Sequence, residues 1–139
     1  MRLDDLPPGV RLYGDPDWRG KCPPESLEQI TFFAHLRRHH PGGFGLLAIH
    51  PRNEAQLRGG QFRALSRHKA QGMSPGAADI IIPGSPAFVC ELKRRDRTMC
   101  AWQPGQREYL AAAAEAGAFA CLALGWEAAW QAFEDWRRG

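Results

Sequence analysis

Gly76-Ala77-Ala78-Asp79-Ile80-Ile81-Ile82 and, after a short break, Phe88-Val89-Cys90-Glu91-Leu92-Lys93 decide how this chain is read. Between the two apolar runs stands Pro83-Gly84-Ser85-Pro86, a reversal signal, so the segment reads as two strands joined in a hairpin. Side chains alternate along a strand, which places Glu91 and Lys93 on the face of Val89 and turns Phe88, Cys90 and Leu92 to the other face. Apolar residues on both faces imply a strand covered on both sides. A three-residue loop, Gly84 to Pro86, pairs Pro83 with Ala87 and sets Asp79 opposite Glu91 on one face, with Cβ atoms roughly 5 Å apart. A two-residue loop would place Cys90 there instead.

Two carboxylates held that close repel unless a proton or a cation lies between them. A hard divalent ion such as Mg²⁺ accepts one or two carboxylates and suits a phosphate substrate. Lys93 would stand beside the charge that develops on such a phosphate. On spacing alone, a turn-ending Asp79 and an ordinary Glu91–Lys93 ion pair are the simpler reading.

The 139 residues are one domain by length, and 44% apolar with 24% charged residues is an ordinary globular composition. No stretch is long and apolar enough to span a bilayer, and the N-terminus lacks a signal-peptide pattern. Cys22, Cys90, Cys100 and Cys121 show no CxxC spacing, so a reduced, cytoplasmic setting fits better than a disulfide framework. A zinc site from Cys22, Cys100 and some of His35, His39 and His40 would need widely scattered ligands. The net charge is +3, yet residues 50–107 hold ten Lys/Arg against four Asp/Glu, an excess of +6. A basic belt around an acidic point is suited to a phosphodiester backbone, and a merely solvated face is the plain alternative. Arg58, Arg63, Arg67 and Lys69, in a Gly-interrupted helical stretch over 54–71, and Arg94, Arg95 and Arg97, in a loop after the hairpin, are the candidate phosphate contacts.

Around this centre, residues 1–24 read as an irregular arm and 25–139 as the folded domain. Ser26-Leu27-Glu28-Gln29 has the form of a capping box, and the helix it opens runs to about His39. Glu28 falls in its first turn, where an acid suits the helix dipole and is also within reach of a metal site; Glu25 is its rival. Gly45 to His50 reads as a buried strand. Pro104 is placed to begin a helix carrying Gln106, a capping side chain or a donor to the site. Residues 118–124 form a last strand, and a helix with Trp130, Phe133 and Trp136 as its stripe starts at about Trp126. Trp102, beside the basic loop, is the better candidate for stacking on a base, with core packing its default. The order of elements implies an α/β fold with a small mixed sheet flanked by helices.

Glu28, Gly76 to Asp79, Phe88 to Lys93, Gln106-Arg107-Glu108-Tyr109-Leu110 and Gly117, with the closing Gly125-Trp126-Glu127-Ala128-Ala129-Trp130, together resemble the VRR-NUC family over about residues 25–136. That family lies in the PD-(D/E)xK nuclease superfamily, with its restriction-endonuclease-like core, and has stand-alone members in phages and bacteria. The resemblance implies that Asp79, Glu91 and the Leu92 carbonyl bind Mg²⁺ or Mn²⁺ and that Lys93 positions or activates the attacking water. It further implies that Gln106 supports the site and that Glu28 is an accessory ligand, directly or through water. Asn53-Glu54 resembles a further family segment and receives no role. The activity implied is metal-dependent endonucleolytic hydrolysis of DNA, selective for branched substrates such as a Holliday junction, by a homodimer. A catalytically silent nucleic-acid-binding module of the same fold is the alternative. Two positions depart from the family pattern: Ala78 stands where Pro precedes the first acid, and Gln103 stands where Ser precedes Pro104. Neither alters an implied metal ligand.

Overall fold

The computed structural model describes residues 1–51 and 62–139, and for residues 62–65 the backbone alone. Its centre is the expected hairpin. Strands β2 (Ile80–Ile82) and β3 (Phe88–Lys93) are antiparallel, with Ile82 opposite Phe88, Ile81 opposite Val89 and Ile80 opposite Cys90. One further step in this register sets Asp79 opposite Glu91, as the three-residue loop requires. Helix α4 (Gln106–Glu115) then carries the chain across the sheet to β4 (Phe119–Leu124), which lies parallel to β3 with Glu91 beside Leu122 and Lys93 beside Leu124. The sheet is mixed and flanked by helices, in agreement with the sequence reading.

Period-two alternation sorts the side chains into two cores. Phe88, Cys90 and Leu92 of β3, with Phe119, Cys121 and Ala123 of β4, face helices α1 (Glu25–His39) and α5 (Trp126–Arg138). Val89 and Ala120 face α4, where Leu110 is fully buried against them. Glu91 and Lys93 share Val89's face, so two charged groups enter the α4 layer while the opposite layer stays apolar.

Five boundaries differ from the sequence reading, four of them ahead of the hairpin. The N-terminal arm is not irregular throughout: Arg11–Tyr13 forms an edge strand, β1, parallel to β4, which gives the sheet order β1-β4-β3-β2. Gly45 to His50 is not a strand. A short helix α2 (Phe44–Leu47) folds back onto the end of α1, the Gly45 N–H donating to the His40 carbonyl at 2.8 Å, and only Ile49 bridges to Ile81. Leu46, Leu47 and Ile49 are exposed; a short apolar run by itself does not distinguish helix from strand. Helix α1 starts at Glu25, with the Leu27 and Glu28 amides donating to the Pro24 carbonyl, so Ser26 is inside the helix and not its cap. Of the basic helix expected over 54–71, Phe62–Ala70 is helical (α3); Asn53-Glu54, Arg58 and the Arg63 side chain lie outside the described residues.

Helix α4 begins at Gln106, two residues later than Pro104 predicted. Gly105 precedes it in the left-handed conformation (φ 87°), and Gly76 (φ 80°) packs directly on Gly105. A Cβ on Gly76 would lie 2.2 Å from the Gly105 carbonyl carbon. The two backbones touch with no side chain between them, and this contact fixes the Asp79 loop against the helix that carries Gln106. Gly76→Ala combines that clash with a left-handed backbone, so a loss of about 3 kcal/mol or more is expected in chemical denaturation.

Candidate metal centre

Asp79, Glu91 and Lys93 meet at the end of the hairpin, as their spacing predicted. The Leu92 amide donates to Asp79 Oδ2 at 3.0 Å, which turns the carboxylate across the strand pair toward Glu91. His50 holds the same residue from the other side, its Nδ1 lying 2.8 Å from the Asp79 carbonyl. Because a carbonyl only accepts, that ring nitrogen carries the proton. Nothing in the sequence pointed to His50; it arrives through the Ile49–Ile81 bridge.

Glu91 is fully buried. Its Oε1 accepts from Gln106 Nε2 at 2.8 Å and lies 3.7 Å from Lys93 Nζ, while Oε2 has no hydrogen-bond partner. Lys93, 1% exposed, donates to the Ala101 carbonyl at 2.9 Å and to Gln106 Oε1 at 3.0 Å. Gln106 Oε1 also accepts from the Gln103 amide at 2.8 Å. No side chain caps α4 itself, while Gln106 ties Glu91, Lys93 and the loop before α4 together. Its two ends match their partners, since the amide nitrogen faces a carboxylate and the oxygen faces two donors.

The third carboxylate is that of Glu25, in the same first turn of α1 as Glu28. Glu25, Asp79 and Glu91 each offer one oxygen, and these atoms lie within 4.8 Å of one another; this is the only such group among the described residues. Glu25 Oε1 is also 3.8 Å from Lys93 Nζ. Glu28 is placed elsewhere: its buried Oε2 accepts the Trp126 amide at 2.6 Å and caps the start of α5. A carboxylate on an unpaired helix N–H is stabilising through both the hydrogen bond and the dipole. Glu28→Ala is expected to cost about 2 kcal/mol in denaturant unfolding through loss of this cap.

Burial raises the Glu91 carboxyl well above its ordinary range, and the neighbouring Asp79 charge adds to that; Lys93 pulls the other way without cancelling it. The donor set is therefore one that takes up positive charge. Glu25 and Glu91 lie within 4 Å of one ammonium, Asp79 stands beside these two acids, and a buried oxygen is left without a donor. Hard oxygen donors of this kind suit a hard divalent cation.

The arginines after the hairpin are engaged within the chain. Arg94 Nη2 donates to the Cys22 carbonyl at 2.8 Å, and Arg97 donates to the carbonyls of Met1 at 2.8 Å and Pro16 at 3.3 Å. Arg95 stacks on Trp18 at 4.3 Å. With Asp96, whose Oδ2 accepts the Gly20 amide, these residues clasp the arm that carries β1. Arg94 and Arg97 thus serve protein carbonyls first, and sequence gave no means of separating that use from phosphate contact. Arg67 and Lys69 are exposed in the last turn of α3. Trp102 packs partly buried on the α4 side, its Nε1 donating to the Arg2 carbonyl. The scattered zinc ligands are not gathered: Cys22 lies against Met99, Cys100 bonds the Arg94 carbonyl, and His35 and His39 pack on Trp130.

No helix among the described residues is long and apolar enough to cross a membrane. No family model and no curated protein matches the chain in sequence. In structure, it superposes on a solved protein described as a "VRR_NUC domain protein" with a TM-score of 0.66 and 19% identity, over 85% of this chain and 91% of the other. The protein therefore has the fold of a VRR_NUC domain, as the order of its acids, lysine and glutamine had implied.

Proposed function

We propose that the protein is a divalent-metal-dependent endonuclease hydrolysing DNA phosphodiester bonds, selective for branched DNA and acting as a homodimer. The observation that carries this reading is Glu91 Oε2, a buried carboxylate oxygen that no N–H donor reaches, gathered with Asp79 and Glu25 within 4.8 Å. A structural ion pair would have no need of three acids gathered near one lysine, and the excess negative charge calls for a cation.

Asp79, Glu91 and the Leu92 carbonyl would hold Mg²⁺ or Mn²⁺, with Glu25 in the accessory place that the sequence resemblance gave to Glu28. When bound, the ion supplies positive charge against the phosphoryl oxygens and acidifies a water. Lys93 is locked by Ala101 and Gln106, so its ammonium is pre-oriented toward the same space and requires no reorganisation as charge develops on the phosphate. Gln106 keeps Glu91 and Lys93 in fixed relation. Arg67 and Lys69, with Arg58 and Arg63, would neutralise the nucleic-acid backbone. One chain holds one such site, so paired cuts would need two copies.

Labelled four-way junction, flap and duplex DNA, incubated with Mg²⁺ or Mn²⁺, test the reading. Cleavage of the branched forms, lost in Asp79→Ala, is expected. Salt-sensitive binding without cleavage in any metal would mark a silent binding module instead. Glu25→Gln, removing only the accessory carboxylate's charge, is expected to lower the cleavage rate about ten- to hundredfold in the same assay.

A further inference from the structure

A cavity of about 470 Å³, whose lining shares no residue with the acidic centre, opens beyond the C-terminal ends of β1 and β4. It is joined to that centre twice. The Gly125 amide, in its wall, donates to the Lys93 carbonyl at 2.8 Å, and Arg95, two residues past Lys93, lines it. Glu25 and Glu28, on the same helical turn, look into the centre and the cavity respectively.

The chemistry of the walls differs from that of the acidic centre. Two indoles, Trp18 and Trp126, line it; Arg95 stacks its guanidinium on the first, and His35 lies 5.1 Å from the second, centroid to centroid. Gln131 keeps an amide oxygen to accept with, its Nε2 donating to Asp135 at 3.0 Å, and Glu28, 5% exposed, keeps one carboxylate oxygen besides the one on the Trp126 amide. Gly125 lets the backbone lie close to Glu28, since a Cβ there would meet Glu28 Oε2 at 3.0 Å. Of the charged residues lining the cavity, Asp15, Glu28 and Glu127 oppose Lys21 and Arg95. An excess of acid disfavours a phosphate as the buried group. It favours a flat, neutral ring with amino donors on its edge, and unpaired bases are held in this way, between aromatic or guanidinium planes with side-chain hydrogen bonds to the edge.

We propose that this cavity receives an unpaired nucleobase of the nucleic acid next to the phosphate held at the acidic centre. The proposal rests on the nuclease reading for what lies in the neighbouring site. A strand passing over Lys93 would place one nucleotide's phosphate there and turn the adjoining base into the cavity, which a fully paired duplex cannot do without unstacking. Preference for branched or unpaired substrates would follow from this.

The test needs no cleavage. Indole N–H resonances of the protein's five tryptophans are followed in EDTA while deoxyadenosine monophosphate or ribose 5-phosphate is added. Perturbation of the Trp18 and Trp126 signals by the nucleotide alone is expected, weakened about tenfold or more in Trp18→Ala. Gln131→Leu, on the solvent side of α5, is the second variant should Trp18→Ala not fold, and a weakening of a few-fold is expected there. In parallel, duplexes with one unpaired adenine or an abasic site at that position are compared for affinity, and the unpaired base should bind about tenfold tighter. No perturbation of either indole signal, or an equal one by ribose 5-phosphate, overturns the proposal. So does nucleotide binding with equal affinity for the two duplexes, which would make the ligand a free nucleotide. Absence of cleavage with base binding intact removes the nuclease reading alone.

Discussion

Lys93→Met is expected to lower DNA cleavage by about 10³-fold while leaving a folded protein. The size follows from what the ammonium does: a fixed charge in a dry site, aimed where negative charge develops, contributes on that order to a rate. Methionine keeps the length and apolar volume of the stem but neither the charge nor the donors. Removing one partner of a buried pair commonly costs about 3–5 kcal/mol. Here the loss should be smaller, because burial already raises the Glu91 carboxyl and lets it take a proton instead of standing as an orphaned charge. Gln106 also retains its bonds to Glu91 and to the Gln103 amide. Gel-based cleavage rates with Mg²⁺, together with thermal unfolding followed by circular dichroism, check both parts. Cleavage within tenfold of wild type would remove Lys93 from the chemistry.

Glu91→Gln is expected to abolish cleavage and, in the absence of metal, to leave stability equal or higher. The direction comes from proton linkage. The folded state holds the Glu91 proton to higher pH than the unfolded chain does, so folding is favoured below the ordinary carboxylate range and that advantage is lost as pH rises through the raised value. At neutral pH the wild type therefore carries a penalty, which glutamine lacks and a bound cation offsets. Three melting measurements follow. Metal-free wild type should lose stability as pH rises from about 4.5, Glu91→Gln should flatten this slope, and Mg²⁺ or Mn²⁺ should raise the melting temperature of wild type only. An identical metal response in the variant would separate Glu91 from any ion.

The hairpin was legible because three local signals agreed: two apolar runs, a reversal of defined length, and the period-two placement of Asp79, Glu91 and Lys93. Those pairings are short in sequence, and loop length alone fixes them. Glu25 and Glu28 were harder, since both occupy the first turn of one helix. Which acid reaches the centre depends on how α1 is rotated over the sheet, a property of Phe32, Phe33 and Leu36 packing in the core and not of the turn itself. The Gly45–His50 run was misread because five apolar residues carry no period. The clasp of Arg94 and Arg97 on the arm was invisible for another reason: its partners are backbone carbonyls, and every residue has one. The edge strand β1 is three residues long, and only its partner β4 gives it shape.

The contact between Gly76 and Gly105 has a bearing on how kin of this chain can be recognised. A scan keyed to charged letters meets many chance matches, because acids and lysines are common at any spacing. Requiring glycine at both of these places, three residues ahead of the first acid and one ahead of the glutamine, would ask for the scaffold along with the chemistry. Distant sequences that satisfy both demands would be the ones worth expressing.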